Sequence, residues 1–68
     1  PMREIRIDIC QLSPRTGLLC RTGTVRSCII PRVGECVRHQ DIEYTVRKVI
    51  YDYDEEECHV DILVVPGI

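Results

Sequence analysis

Residues 44–65, YTVRKVIYDYDEEECHVDILVV, decide the fold of this chain. Valine, isoleucine and tyrosine dominate both arms of the stretch, and such side chains fit the pleated, half-buried surface of a β-sheet. An acidic turn, Asp52 to Glu57, separates the arms. In the second arm Cys58, Val60, Ile62 and Val64 share one face, and His59, Asp61, Leu63 and Val65 share the other. Both faces become apolar towards the end, so this strand wants cover on both sides. In the first arm the apolar positions run Tyr44, Val46, then Val49 and Tyr51, which is a slip of one residue near Arg47-Lys48. A period-2 strand that changes phase predicts a β-bulge, and bulges bend small sheets sharply enough to close.

Upstream, Arg3 to Leu12 alternates, with Ile5, Ile7 and Ile9 opposite Glu4, Arg6, Asp8 and Cys10. That pattern predicts an antiparallel strand with one wet side. Ser13 to Gly17 reads as a turn, Leu18 to Arg21 as a short strand, and Thr22-Gly23 as a tight reversal into Thr24 to Ile30. Pro31 closes that strand because it has no amide proton to donate. Pro31 to Val37 is a bend with a buried valine expected on each side of Gly34, Val37-Arg38 starts a short strand, and His39-Gln40-Asp41 is a polar turn. No segment carries the 3.6-residue apolar period of a helix. The chain therefore reads as a single all-β domain over residues 1–68, with five or six short strands forming a small barrel or a strongly bent pair of sheets.

Pro31-x-Val33-Gly34-Glu35-x-Val37, followed by Tyr44-x-Val46-x-x-Val49, an acidic turn and Val60-x-Ile62, resembles the small SH3-like barrels of short bacteriophage-encoded proteins. The resemblance covers about the last half of the chain. It implies an SH3-like barrel of strongly bent antiparallel strands and a non-enzymatic binding role, most naturally that of an inhibitor or binder of a host factor. Fold likeness does not choose among protein, nucleic-acid and small-ligand partners.

With 68 residues, such a domain buries only about 60% of the surface that its unfolded chain exposes. Small domains gain support from disulfides, a metal or self-association. The five cysteines are odd in number and none sits in a C-x-x-C pair, so reduced thiols are expected. No secretory segment is evident and the longest apolar run is Ile62 to Val65, far short of the ~18 residues of a spanning helix. Cytoplasmic location, in a host cell if phage-encoded, is the expectation. Pro1 before Met2 reads as a cleavage remnant and stays outside the fold reasoning.

Charge is split along the chain. Residues 1–38 hold seven arginines against Glu4, Asp8 and Glu35, or +4; residues 39–68 hold Arg47 and Lys48 against eight carboxylates, or −6. Folding can interleave the halves, copies of the protein can pair through them, or the basic half can meet an anion.

Arginine's fork favours bidentate bonds to phosphate. Arg15, Arg21, Arg26 and Arg32, with the exposed Tyr53, are the candidate site for a phosphate-bearing small molecule such as a nucleotide. Nucleic acid suits the chain less well, since the net charge is −2 and only Tyr44, Tyr51 and Tyr53 are available to stack. Cys36-x-x-His39 with Cys58, or with His59 in its place, has zinc-like chemistry, but neighbouring strand residues point to opposite faces and leave three ligands. No metal or other cofactor is expected. Asp52-x-Asp54-x-Glu56 spaces carboxylates as a calcium loop does, yet Glu57 stands where that loop needs glycine, so a solvated hairpin turn is expected. Too few active-site parts can be named for an enzyme. The tail residues Ile62, Leu63, Val64, Val65 and Ile68 are the candidate interface of a homo-oligomer. The sequence thus predicts a homo-oligomeric, non-enzymatic interaction module.

Overall fold

A computed structural model describes residues 3–67 as an all-β half-barrel. Its strands are β1 (Ile5–Leu12), β2 (Leu19–Ser27), β3 (Cys36–His39), β4 (Ile42–Asp52) and β5 (His59–Pro66). They form one strongly curled sheet in the order β2-β1-β5-β4-β3. The architecture is consistent with a small SH3-like barrel. Three neighbouring pairs are antiparallel, whereas β1 and β5 run parallel, with Ile7 beside Val60 and Asp8 beside Asp61. The expectation of antiparallel strands throughout is corrected at this centre, because alternation along a strand reports its faces and not the direction of its neighbour.

The inner face is the core: Ile7, Ile9, Tyr44, Val46, Val60, Ile62 and Val64, with Val25, Val37 and Val49 packed against them. Burying one such isoleucine or valine stabilises the fold by about 1.5–3 kcal/mol. The phase slip in β4 is a bulge: Val46 faces Val64 and Lys48 faces Leu63, so Arg47 is the extra residue. The bend before β3 is tied to it, since Gly34 N donates to Val46 O (2.9 Å) and Val46 N to Glu35 O (2.9 Å). Of the two valines flanking that glycine, Val37 is half-buried but Val33 is exposed.

Thr22-Gly23 is no reversal. Ile9 faces Gly23 and Cys10 faces Arg21, which leaves Thr22 as a second bulge inside one continuous strand. Gly23 is needed for another reason: a Cβ there would lie 2.5 Å from His39 Nε2. The glycine thus lets the edge strand β2 meet β3 through the His39 ring. His39 itself ends β3, and the turn is Gln40-Asp41, both at positive φ (51° and 65°), as a two-residue hairpin requires.

Candidate functional site

Alternation sends Arg6, Asp8 and Cys10 of β1 and His59, Asp61 and Leu63 of β5 to the outer face, opposite the core. The parallel register sets Asp8 beside Asp61, and antiparallel pairing brings Thr24 to Asp8 and Asp52 to His59. Two adjacent carboxylates half out of water need donors. Thr24 Oγ1 donates to Asp8 Oδ1 (2.9 Å), Arg6 Nε lies 3.5 Å from the same oxygen, and His59 Nε2 is 2.9 Å from Asp61 Oδ1. His59 is only 4% exposed and Asp8 6%. Around the ring stand Asp8 Oδ2 (3.7 Å) and Asp52 Oδ2 (3.9 Å) at Nε2, and Glu55 Oε2 (3.5 Å) at Nδ1.

The acidic turn closes over this cluster. Arg6 Nη2 donates to Glu55 Oε2 (3.0 Å) and Arg26 Nη2 to Glu57 Oε1 (3.1 Å), while Arg6 Nη1 lies 3.6 Å from Glu57. The turn is therefore docked onto β1 and β2 rather than solvated throughout, and the two oppositely charged halves interlock within one chain. The hydrogen bond from Arg6 to Glu55, with the charges of Asp8, Glu55 and Glu57, raises the Arg6 pKa against a lesser opposing effect of burial. Burial, then the charges of Asp61 and Asp8, pushes the Cys10 thiol up to about 11. Among the described residues two buried side-chain nitrogens have no hydrogen-bond partner: Arg6 Nε and His59 Nδ1.

A second feature lies at the open seam between β2 and β3. Beside the contact of His39 with Gly23 is a cavity of about 190 Å³ whose walls include Ile7, Ile9, Val25, Val37 and Ile62, with Ile29, 72% exposed, among its lining residues. A shallower hollow of about 300 Å³ involves Ile5, Tyr51, Tyr53, Cys58 and His59.

The residues singled out from sequence are scattered. Arg15 is exposed in the hairpin turn between β1 and β2, and Arg32 is exposed in the bend before β3. Arg21 and Arg26 share the outer face, but Arg26 pairs with Glu57 and Arg21 stands 4.0 Å from Asp8. Tyr53 is 74% exposed in the acidic turn. Cys36 and His39 lie on one strand at odd separation and so face opposite sides; Cys36 is beside Thr45, and Cys58 sits at the hollow near Tyr51. The proposed interface also divides. Ile62 and Val64 are 1% exposed in the protein's own core, because the curled sheet covers that face itself; Leu63 and Val65 stay half-buried outside, and Ile68 lies outside the described residues.

The residue that sequence reading underweighted is His59. Its signal was present in the outward positions of Asp61 and of Asp8 on another wet-faced strand, but joining them requires the parallel pairing. Among the described residues no helix is long and apolar enough to cross a membrane. Comparison with protein-family models, with curated proteins and with solved structures finds no match to this chain.

Proposed function

We propose that this protein is a non-catalytic binding module that takes an extended segment of a partner protein along the seam of the half-barrel. The observation that carries the reading is the apolar cavity beside β2, a nine-residue edge strand whose outer backbone groups pair with no other strand of the sheet. An extended segment can add to such an edge by main-chain hydrogen bonds while one apolar side chain fills the cavity. The exposed Leu18, Leu19 and Ile29 extend the apolar surface at the two ends of β2. The host-factor binder implied by the phage-protein resemblance is one form of this role. A second copy of the chain would use the same edge rather than the buried side of β5. The reading as a binder of phosphate-bearing ligands has less support, because Arg21 and Arg26 already face carboxylates.

Selection of displayed random peptides on the full chain tests the role, with Ile29→Glu as the comparison. Support is a set of extended sequences with one spaced apolar anchor that bind the parent, lose affinity for Ile29→Glu and slow hydrogen exchange along β2. Peptides that bind both proteins equally, or that protect other strands, would overturn it. Concentration-dependent protection of β2 without any peptide would assign the edge to a second copy.

A further inference from the structure

The outer-face cluster, independent of the seam, carries a different inference. His59 Nε2 lies 2.9 Å from Asp61 Oδ1. An ionised carboxylate only accepts, so Nε2 holds the proton in this bond. In the neutral ring that leaves Nδ1 as a bare lone pair. This nitrogen is buried, has no hydrogen-bond partner among the described residues, and lies 3.5 Å from Glu55 Oε2, itself an acceptor. The imidazole nitrogen is shut off from water although the Glu55 side chain is half exposed, and two lone pairs held face to face repel each other unless something positive lies between them.

We infer that Glu55 and Nδ1 of His59 bind a divalent transition-metal cation of the zinc type, with Asp52, whose Oδ2 stands 3.9 Å from Nε2, turning its carboxylate to the ion as third donor. Donor atoms of Asp52, Glu55 and His59 lie within 4.8 Å of one another. Two ligands each about 2.0–2.2 Å from a tetrahedral zinc ion stand about 3.3–3.6 Å apart, which is the spacing seen between Nδ1 and Oε2. A site with one imidazole and two carboxylates suits zinc or manganese better than calcium, which prefers oxygen alone. Asp61 holds the ring from its far nitrogen, as carboxylates do behind metal-bound histidines. Arg6 occupies one lone pair of Glu55 Oε2 and leaves another for the cation.

Charge points the same way. The ion-paired groups around the ring are Asp8, Asp52, Glu55, Glu57 and Asp61 against Arg6, Arg21 and Arg26, so five negative charges meet three positive ones. A divalent cation brings the cluster to neutrality, whereas protonation of His59 alone leaves it one charge short.

Calorimetric titration of Zn²⁺ into the full chain, with Co²⁺ absorption and ¹⁵N spectra of the histidine rings, tests the site. One ion per chain is expected, with a Co²⁺ spectrum of nitrogen and oxygen ligands free of a thiolate charge-transfer band. His59 Nδ1 should move to a metal-bound shift, and Glu55→Gln and Asp52→Asn should each weaken binding by about tenfold or more. Glu43→Gln, remote from the ring, should leave binding unchanged. Absence of saturation, a thiolate band, equal affinity in Glu55→Gln, or an Nδ1 that is protonated at neutral pH and unmoved by Zn²⁺ would each overturn the inference. Because the ¹⁵N signal is read on the parent protein, the result does not depend on how the variants fold.

Discussion

The inner and outer faces of β5 belong to one strand yet are built by different rules. Inside, Val60, Ile62 and Val64 meet Ile7, Ile9 and Val46, and any apolar residue of the right volume satisfies the requirement. Outside, His59 and Asp61 meet Asp8, which Thr24 holds in turn, and a turn folded back from β4, and each contact depends on a particular atom. The inner face supplies most of the stability. The outer face supplies specificity of pairing, because Arg6 and Glu55 are 49 residues apart and the sheet joins them.

Four tests sharpen that contrast. The largest effect belongs to the core: Ile62→Ala should cost about 3 kcal/mol in urea unfolding, a large share of the roughly 3–10 kcal/mol available to a chain of this size. A loss below about 1 kcal/mol would mean the inner face is loosely packed. Next comes Asp8→Ala, which strips the partner from Thr24 and leaves Arg6 with less countercharge; about 2–3 kcal/mol is expected. If this substitution is as mild as a surface change, the outer face is not a buried network.

Gly23→Ala tests the seam and should cost about 1–2 kcal/mol, since the new methyl meets the His39 ring. Most of that loss should return in the double variant with His39→Ala; a purely additive result would place the strain elsewhere. The smallest effect is chemical. With a thiol pushed up to about 11, Cys10 should be the last of the five cysteines to react with a thiol reagent at mildly alkaline pH, behind the exposed Cys20, Cys28, Cys36 and Cys58. Between pH of about 9 and about 11 the unfolded chain releases this proton while the folded one keeps it, so stability should fall as pH rises across that window. Equal labelling of all five would show that β1 opens readily.

Much of the architecture was legible because it rests on local alternation. The slip at Arg47, the hairpin from Tyr44 to Val65 and the two-sided character of β5 all follow from neighbours in sequence. Thr22-Gly23 misled because the same dipeptide serves a tight turn and a bulge, and only the approach of His39 decides between them. The parallel pairing of β1 with β5 leaves no mark on either strand's pattern. The cluster around His59 was hidden for that reason: its carboxylates come from β1, from β4 with the acidic turn, and from β5, and none has a spacing that marks it. The split of charge along the chain was visible, but its resolution within one molecule depends on the turn folding back across β1.

The most direct test of that interlocking is the set of proton–proton Overhauser contacts made by the His59 ring in solution. The fold described here requires contacts to the Asp8 methylene on one side and to the Glu55 methylenes on the other. A ring that contacts only Cys58, Val60 and its own strand neighbours would mean that the acidic turn is free and the two halves of the chain do not meet.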